Sequence, residues 1–168
     1  MRIVAAGTVL AAMLAASPSA VALDASWTGT WRGVLENHPG KADAERIDVT
    51  FEAGPLPAGD GDCTVWRTRY LSGDTIRHTK DYRLCRLAGD GEYVVDEGDG
   101  VRLPTRRLGD TLYAIFKVDT HLLVVVTRKR GNTLEQEIIT ATDQPADNGI
   151  VTLHPRSVQR TVLNRTEP

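Results

Sequence analysis

Apolar and polar residues alternate along most of this chain, and helical periodicity is nearly absent. Trp27 to Glu36 reads WTGTWRGVLE. Trp27, Gly29, Trp31, Gly33 and Leu35 share one face, while Thr28, Thr30, Arg32, Val34 and Glu36 share the other. That two-residue period predicts a strand, and its alternate glycines let another backbone come close. A polar turn over residues 37–40 leads to a second strand, Glu45 to Glu52, with Ile47, Val49 and Phe51 on its apolar face. Residues 53–62 are rich in Gly and Pro and read as a loop.

Further strands are expected at Glu92 to Glu97, around Val101 and Leu103, at residues 111–118 (TLYAIFKV), at His121 to Arg128 (HLLVVVTR) and at Thr133 to Thr140. Ile150 to Leu153 and Ser157 to Asn164 close the chain. Pro104 marks its strand as short or at an edge, because proline cannot donate to a ladder. HLLVVVTR is the most apolar segment and is expected to be buried on both faces or to face a cavity. The total is all-β, with about 8–10 strands joined mostly by short turns. A meander of that length hides its edges by closing on itself or by folding into a sandwich. The expected architecture is the up-and-down antiparallel barrel.

Both cysteines of the chain bracket one predicted hairpin, Cys63 to Cys85, with Gly73-Asp74 near its middle. Opposing Cys63 to Cys85 also places Trp66 opposite Tyr82, Tyr70 opposite His78 and Arg67 opposite Asp81, and centres the turn on Asp74. An aromatic pair and an opposite-charge pair each contribute ~0.2–1 kcal/mol, so the register and a disulfide support one another. The cysteine spacing matches neither CxxC nor a zinc site.

Residues 1–22 read MRIVAAGTVLAAMLAASPSAVA: one basic residue, an apolar run, and Ala20-Val21-Ala22 before a cleavage point. This is the pattern of a secretory signal peptide, and the run is too short for a membrane span. Removing residues 1–22 of 168 leaves 146, enough for a single domain over residues 23–168. A secreted or periplasmic location and a disulfide are mutually consistent.

The net charge is −2, and twenty basic and twenty-two acidic residues are interleaved. That argues against a nucleic-acid surface. The one basic run, Arg128-Lys129-Arg130, abuts a Gly131-Asn132 turn and reads as a solvated hairpin tip.

GTWRG at residues 29–33 resembles the G-x-W signature of lipocalins and related calycin barrels. In that family the motif lies on the first strand near the closed end. Its Trp packs under an Arg from the region of the last strand. The resemblance implies Gly29 and Trp31 as the motif residues and Arg160 as the stacking cation, with Arg165 second. Bacterial nitrobindin-like barrels also begin with a GTWRG-type strand and ligate haem through a late His. Here the strand continues VLENHPG, and the late His154 sits in a His-Pro turn, so no cofactor is expected.

No H-x-x-x-H, HExxH, G-x-S-x-G or phosphate-binding motif occurs. His38, His78, His121 and His154 are read as surface or hairpin residues, and no metal site is expected. Glu135 and Glu137 share one strand face, with Glu135 expected to pair with Arg128. In the stapled hairpin, Arg67, Arg69 and Arg83 share the face of the cysteines, so Trp66, Tyr70, Tyr82 and Leu84 are expected to point inward. With Phe116 and Val124 they form the expected lining of a site for a small hydrophobic or amphipathic ligand. The expected function is non-catalytic binding. The alternative is an assembly protein whose barrel is filled by its own side chains.

Overall fold

The computed structural model describes residues 25–41, 46–54, 57, 59–146 and 149–166. Residues 1–22, read above as a signal peptide, lie outside the described residues. A short 3-10 turn, Ala25–Trp27, precedes ten strands: β1 (Gly29–His38), β2 (Ile47–Ala53), β3 (Cys63–Ser72), β4 (Thr75–Arg86), β5 (Glu92–Gly98), β6 (Val101–Leu108), β7 (Thr111–Val118), β8 (His121–Arg130), β9 (Thr133–Asp143) and β10 (Leu153–Arg165). Each strand pairs antiparallel with its sequence neighbour, and β10 pairs with β1, so the sheet closes as an up-and-down barrel.

Five of the connections are two-residue turns. Gly73 (φ 54) and Gly131 (φ 56) take the first turn position, where the left-handed backbone matches the twist of the flanking strands. The disulfide joins Cys63 to Cys85, and the expected pairs Trp66↔Tyr82, Arg67↔Asp81 and Tyr70↔His78 are present. Beyond Tyr70 the register slips: Leu71 faces Ile76, leaving Arg77 unopposed in a β-bulge. The turn therefore tightens to Gly73-Asp74 instead of centring on Asp74.

Closure rests on Gly33. A Cβ there would overlap the carbonyl oxygen of Val162 on β10, so β1 approaches this strand as only glycine permits. The end of the chain differs from the sequence reading. Residues 150–153 do not form a separate strand: β10 begins at Leu153 and runs through a bulge between Pro155 and Ser157. Pro155 lies where β10 pairs with β9 but not yet with β1, so its missing N–H faces no ladder. Pro104 sits similarly, opposite Val94 of β5 and ahead of the first β6–β7 pair at Thr105.

One end of the barrel is packed solid. Trp27, Trp31, Phe51, Trp66, Leu84, Tyr93, Leu112, Leu134 and Leu163 form a single buried cluster there. The rings of Phe51 and Trp66 meet edge to face at 4.7 Å, and Trp27 stacks on Trp66 at 6.4 Å. Large aromatic side chains bury the most apolar area per residue, and such pairs add ~0.5–1.5 kcal/mol beyond burial. The Trp31 Nε1–H donates to the Trp27 carbonyl at 3.3 Å, tying the 3-10 turn across this end as a plug.

Candidate functional site

The other end of the barrel is where a site can form. Inside and outside follow from strand parity. On β3 and β4 the even-numbered residues Trp66, Thr68, Tyr82 and Leu84 point in with the core. On β7, Leu112 belongs to the core, so Ala114 and Phe116 share its inward face, opposite Val125 and Leu123 of β8. On β9 and β10, Leu134 and Leu163 fix Ile138 and Gln159 as inward.

Toward the other end the inward residues are only partly buried, Tyr70, Tyr82 and Val95 still packing against the aromatic cluster. Tyr70, Tyr82, Val95, Phe116, Leu123, Val125 and Ile138 are only half-buried although they face the interior of a closed sheet. A cavity of about 450 Å³ lies on the β1–β4 side of this end, lined by Leu35, Ile47, Tyr70, Lys80 and Gln159 together with the tip of the β3–β4 hairpin. Its size is in the range that holds a small ligand.

Ladder lengths explain why this end is wide. The β4–β5 pairing runs only from Arg86↔Tyr93 to Arg83↔Asp96, so β4 from Thr75 to Tyr82 is paired with β3 alone. The β6–β7 pairing likewise stops at Thr105↔Ala114. The far half of the β5–β6 hairpin is thus free of both flanking strands, and the barrel splays beside β4.

Polar groups gather on this side. The His78 ring lies parallel to Tyr70 at 6.1 Å, with 23° between planes, and the Lys80 ammonium is 5.9 Å from the same ring centre. Burial, reinforced by the charge and hydrogen bond of Glu97, pushes the Tyr82 phenol up to about 12. Burial alone raises Tyr70.

The six residues expected to line a ligand site divide three ways. Tyr70 lines the cavity, and Tyr82 and Phe116 face the same open half of the barrel. Trp66, 8% exposed, and Leu84, 0%, face inward but belong to the plug. Val124 faces outward: it pairs with Ile115, 61% exposed, and with Ile139, while its neighbour Val125 takes the interior. In an all-apolar run, alternation carries no signal to tell the two faces apart, and the expectation for Val124 is corrected.

The motif cation is corrected too. Arg165 lies over Trp31, 5.2 Å from the ring centre, and its guanidinium donates to the Thr28 carbonyl. Gly29 (φ 135) makes room: a Cβ there would sit 3.3 Å from the Arg165 guanidinium. Arg160 is on the outer face between Glu36 and Glu137, and it donates to the Glu137 carboxylate at 2.8 Å.

Outside the hairpin, Arg67 makes a forked contact with Asp81, 2.7 and 3.2 Å, and shares Glu52 with Arg69. That contact lowers Asp81. Arg128 reaches Glu135 at 3.5 Å, as the turn at Gly131-Asn132 requires. Sequence reasoning missed Lys80, Arg77, Glu97 and Gln159. Lys80 falls two residues from the aromatic Tyr82 and on its face, which was the available signal. Compared with known proteins, the sequence matches no protein-family model and no curated protein.

Proposed function

We propose that this chain is an exported, lipocalin-like barrel protein that holds a small hydrophobic or amphipathic molecule in its open half and performs no chemistry on it. The observation that carries the reading is the row of half-buried apolar residues facing the interior, Val95, Phe116, Leu123, Val125 and Ile138, above a solid aromatic plug. Apolar surface left half-wet inside a barrel is released from water when a hydrophobic molecule occupies it, at roughly 25 cal/mol per Å². Export is supported by the pattern of residues 1–22 and by the disulfide, which persists in oxidising compartments. The G-x-W strand and the Arg165–Trp31 stack support the lipocalin-like reading.

Native mass spectrometry of the protein recovered from its producing cell, with displacement of a fluorescent lipid, tests the reading. A co-purifying small molecule and saturable displacement are expected. An empty protein that binds no probe overturns it. Amino-terminal sequencing of the exported protein tests the compartment, with a start near Leu23 expected.

A second reading has its own support. Ile115, Val124, Ile139 and Val158 lie in successive register across the outer faces of β7 to β10. An apolar row on an outer surface marks an interaction face when it is contiguous. An inert barrel that sediments as an oligomer would favour assembly over ligand binding.

A further inference from the structure

We propose that the molecule held in the open half is an anionic amphiphile: a single apolar tail inside the barrel and a carboxylate, phosphate or sulfate head between Arg77, His78 and Lys80. The inference rests on the binding reading above and assigns the chemical class of the ligand.

Charge balance differs between the two faces of the β3–β4 hairpin. Outside, Arg67 and Arg69 are matched by Glu52 and Asp81. Inside and at the rim, Arg77, His78 and Lys80 line the cavity, and no residue of that lining carries a carboxylate. Among the described residues, no carboxylate forms an ion pair with Lys80 or Arg77. Glu97, which acts on the Tyr82 hydroxyl, is not part of that lining. Lys80 is half-buried with its ammonium 5.9 Å from the Tyr70 ring centre, and a charged head group that reached it would gain a charge-assisted hydrogen bond.

The bulge brings Arg77 to the cavity that Lys80 lines. Strict alternation would put Arg77 on the face opposite His78. Because Arg77 is the extra residue between the Leu71↔Ile76 and Tyr70↔His78 pairs, the strand turns there, and both residues line the same cavity. The β4–β5 pairing ends at Arg83↔Asp96, so the cations stand beside the splayed side of the barrel, where a head can remain near water. Leu35 and Ile47 give the cavity an apolar wall, and Phe116, Val125 and Ile138 face the interior of the same half of the barrel, half-buried. Polar head at the mouth and tail below is the only orientation that matches both linings.

The test uses the exported chain loaded with the neutral dye Nile red. Four competitors share one alkyl chain: dodecanoate, dodecyl phosphate, dodecanol and dodecyltrimethylammonium. Inorganic phosphate is a fifth. The two anionic amphiphiles should displace the dye at roughly tenfold lower concentration than dodecanol, with the cation weakest and inorganic phosphate without effect. Lys80→Met and, on the exposed bulge, Arg77→Gln should each erode that preference, read as the ratio of the dodecanol to the dodecanoate concentration at half displacement. Thermal melts check that both variants fold. Equal competition by dodecanol and dodecanoate, or an anion preference that survives both substitutions, overturns the inference and leaves hydrophobic binding standing. Inorganic phosphate competing as well as dodecyl phosphate overturns the tail. No dye uptake at all removes the binding reading itself.

Discussion

Arg165 lies over the face of Trp31, 5.2 Å from the ring centre, and so ties the last strand to the first where the barrel closes. Arg160, on the same strand, points the other way and meets Glu137. An exposed cation–π contact contributes ~0.5–1 kcal/mol, and the Arg165 hydrogen bond to the Thr28 carbonyl adds to it. Arg165→Ala should therefore lower the unfolding free energy by about 1 kcal/mol in urea titrations. Arg160→Ala, measured alongside, should leave it unchanged. A larger loss from Arg160→Ala would return the closing role to that residue.

Gly33 and Val162 set the spacing of the same seam. A methyl at position 33 has no room against the Val162 carbonyl, which belongs to the β1–β10 ladder and cannot rotate away. Gly33→Ala should destabilise by about 2 kcal/mol or more, as overpacking does. Val34→Ala, one residue along on the outer face, should cost far less. Thermal unfolding of the two variants against the parent protein decides the matter, and an unchanged midpoint for Gly33→Ala would contradict the closure seen here.

The Cys63–Cys85 disulfide closes a hairpin already held by matched side chains and a two-residue turn. Its chief effect is to restrict the unfolded chain, by ~3 kcal/mol for a loop of this length. Replacing both cysteines by Ala should lower stability by about that amount while keeping the barrel's circular dichroism spectrum. Complete loss of β-structure would mean that the staple decides folding, not only stability.

Burial and Glu97 together raise the Tyr82 phenol from 10 to about 12. A folded pKa above the unfolded one means that the folded state holds the proton more tightly. The stabilisation is then full below about pH 10 and is lost as pH rises toward about 12. Tyr70, raised by burial, adds to the same decline. Urea midpoints measured across that window should fall for the parent protein and fall less steeply for Tyr82→Phe. Identical slopes would show that Tyr82 is not the group responsible.

Much of this architecture is legible in the sequence because the interactions that fix it are local. Alternation in WTGTWRGVLE, glycine at turn positions and the matched pairs between Cys63 and Cys85 each involve residues that meet across one turn or one strand. What the sequence hides depends on distant registers. In SVQRTVLNR the outward face carries Val158 and Val162 while the inward face carries Gln159, Thr161 and Leu163, so hydrophobicity points the wrong way for Arg160. The cavity is a property of where the β4–β5 and β6–β7 ladders stop, and of a bulge at Arg77 that no composition signal marks. Trp66 and Leu84 face inward as alternation requires, yet their distance from the plug, which alternation does not encode, decides that they are core and not lining.

The parity of β7 and β8 yields the sharpest contrast for binding. Val124 and Val125 are neighbours with the same side chain, one outside beside Ile115 and one inside beside Ala114. Enlarging the inner position to Trp places a bulky ring in the half-wet interior, whereas the same change outside meets solvent and the outer row. Val125→Trp should therefore weaken displacement of Nile red by any alkyl competitor at least about tenfold, the scale set by losing roughly 1.4 kcal/mol of apolar contact. Val124→Trp should leave it unchanged. Phe116, inward and opposite Leu123, should behave with Val125, so Phe116→Ala should alter affinity while the outward Ile115→Ala does not. Competition titrations on these four variants check the assignment, and sensitivity at Val124 and Ile115 in place of Val125 and Phe116 would put the ligand on the outer face of the barrel.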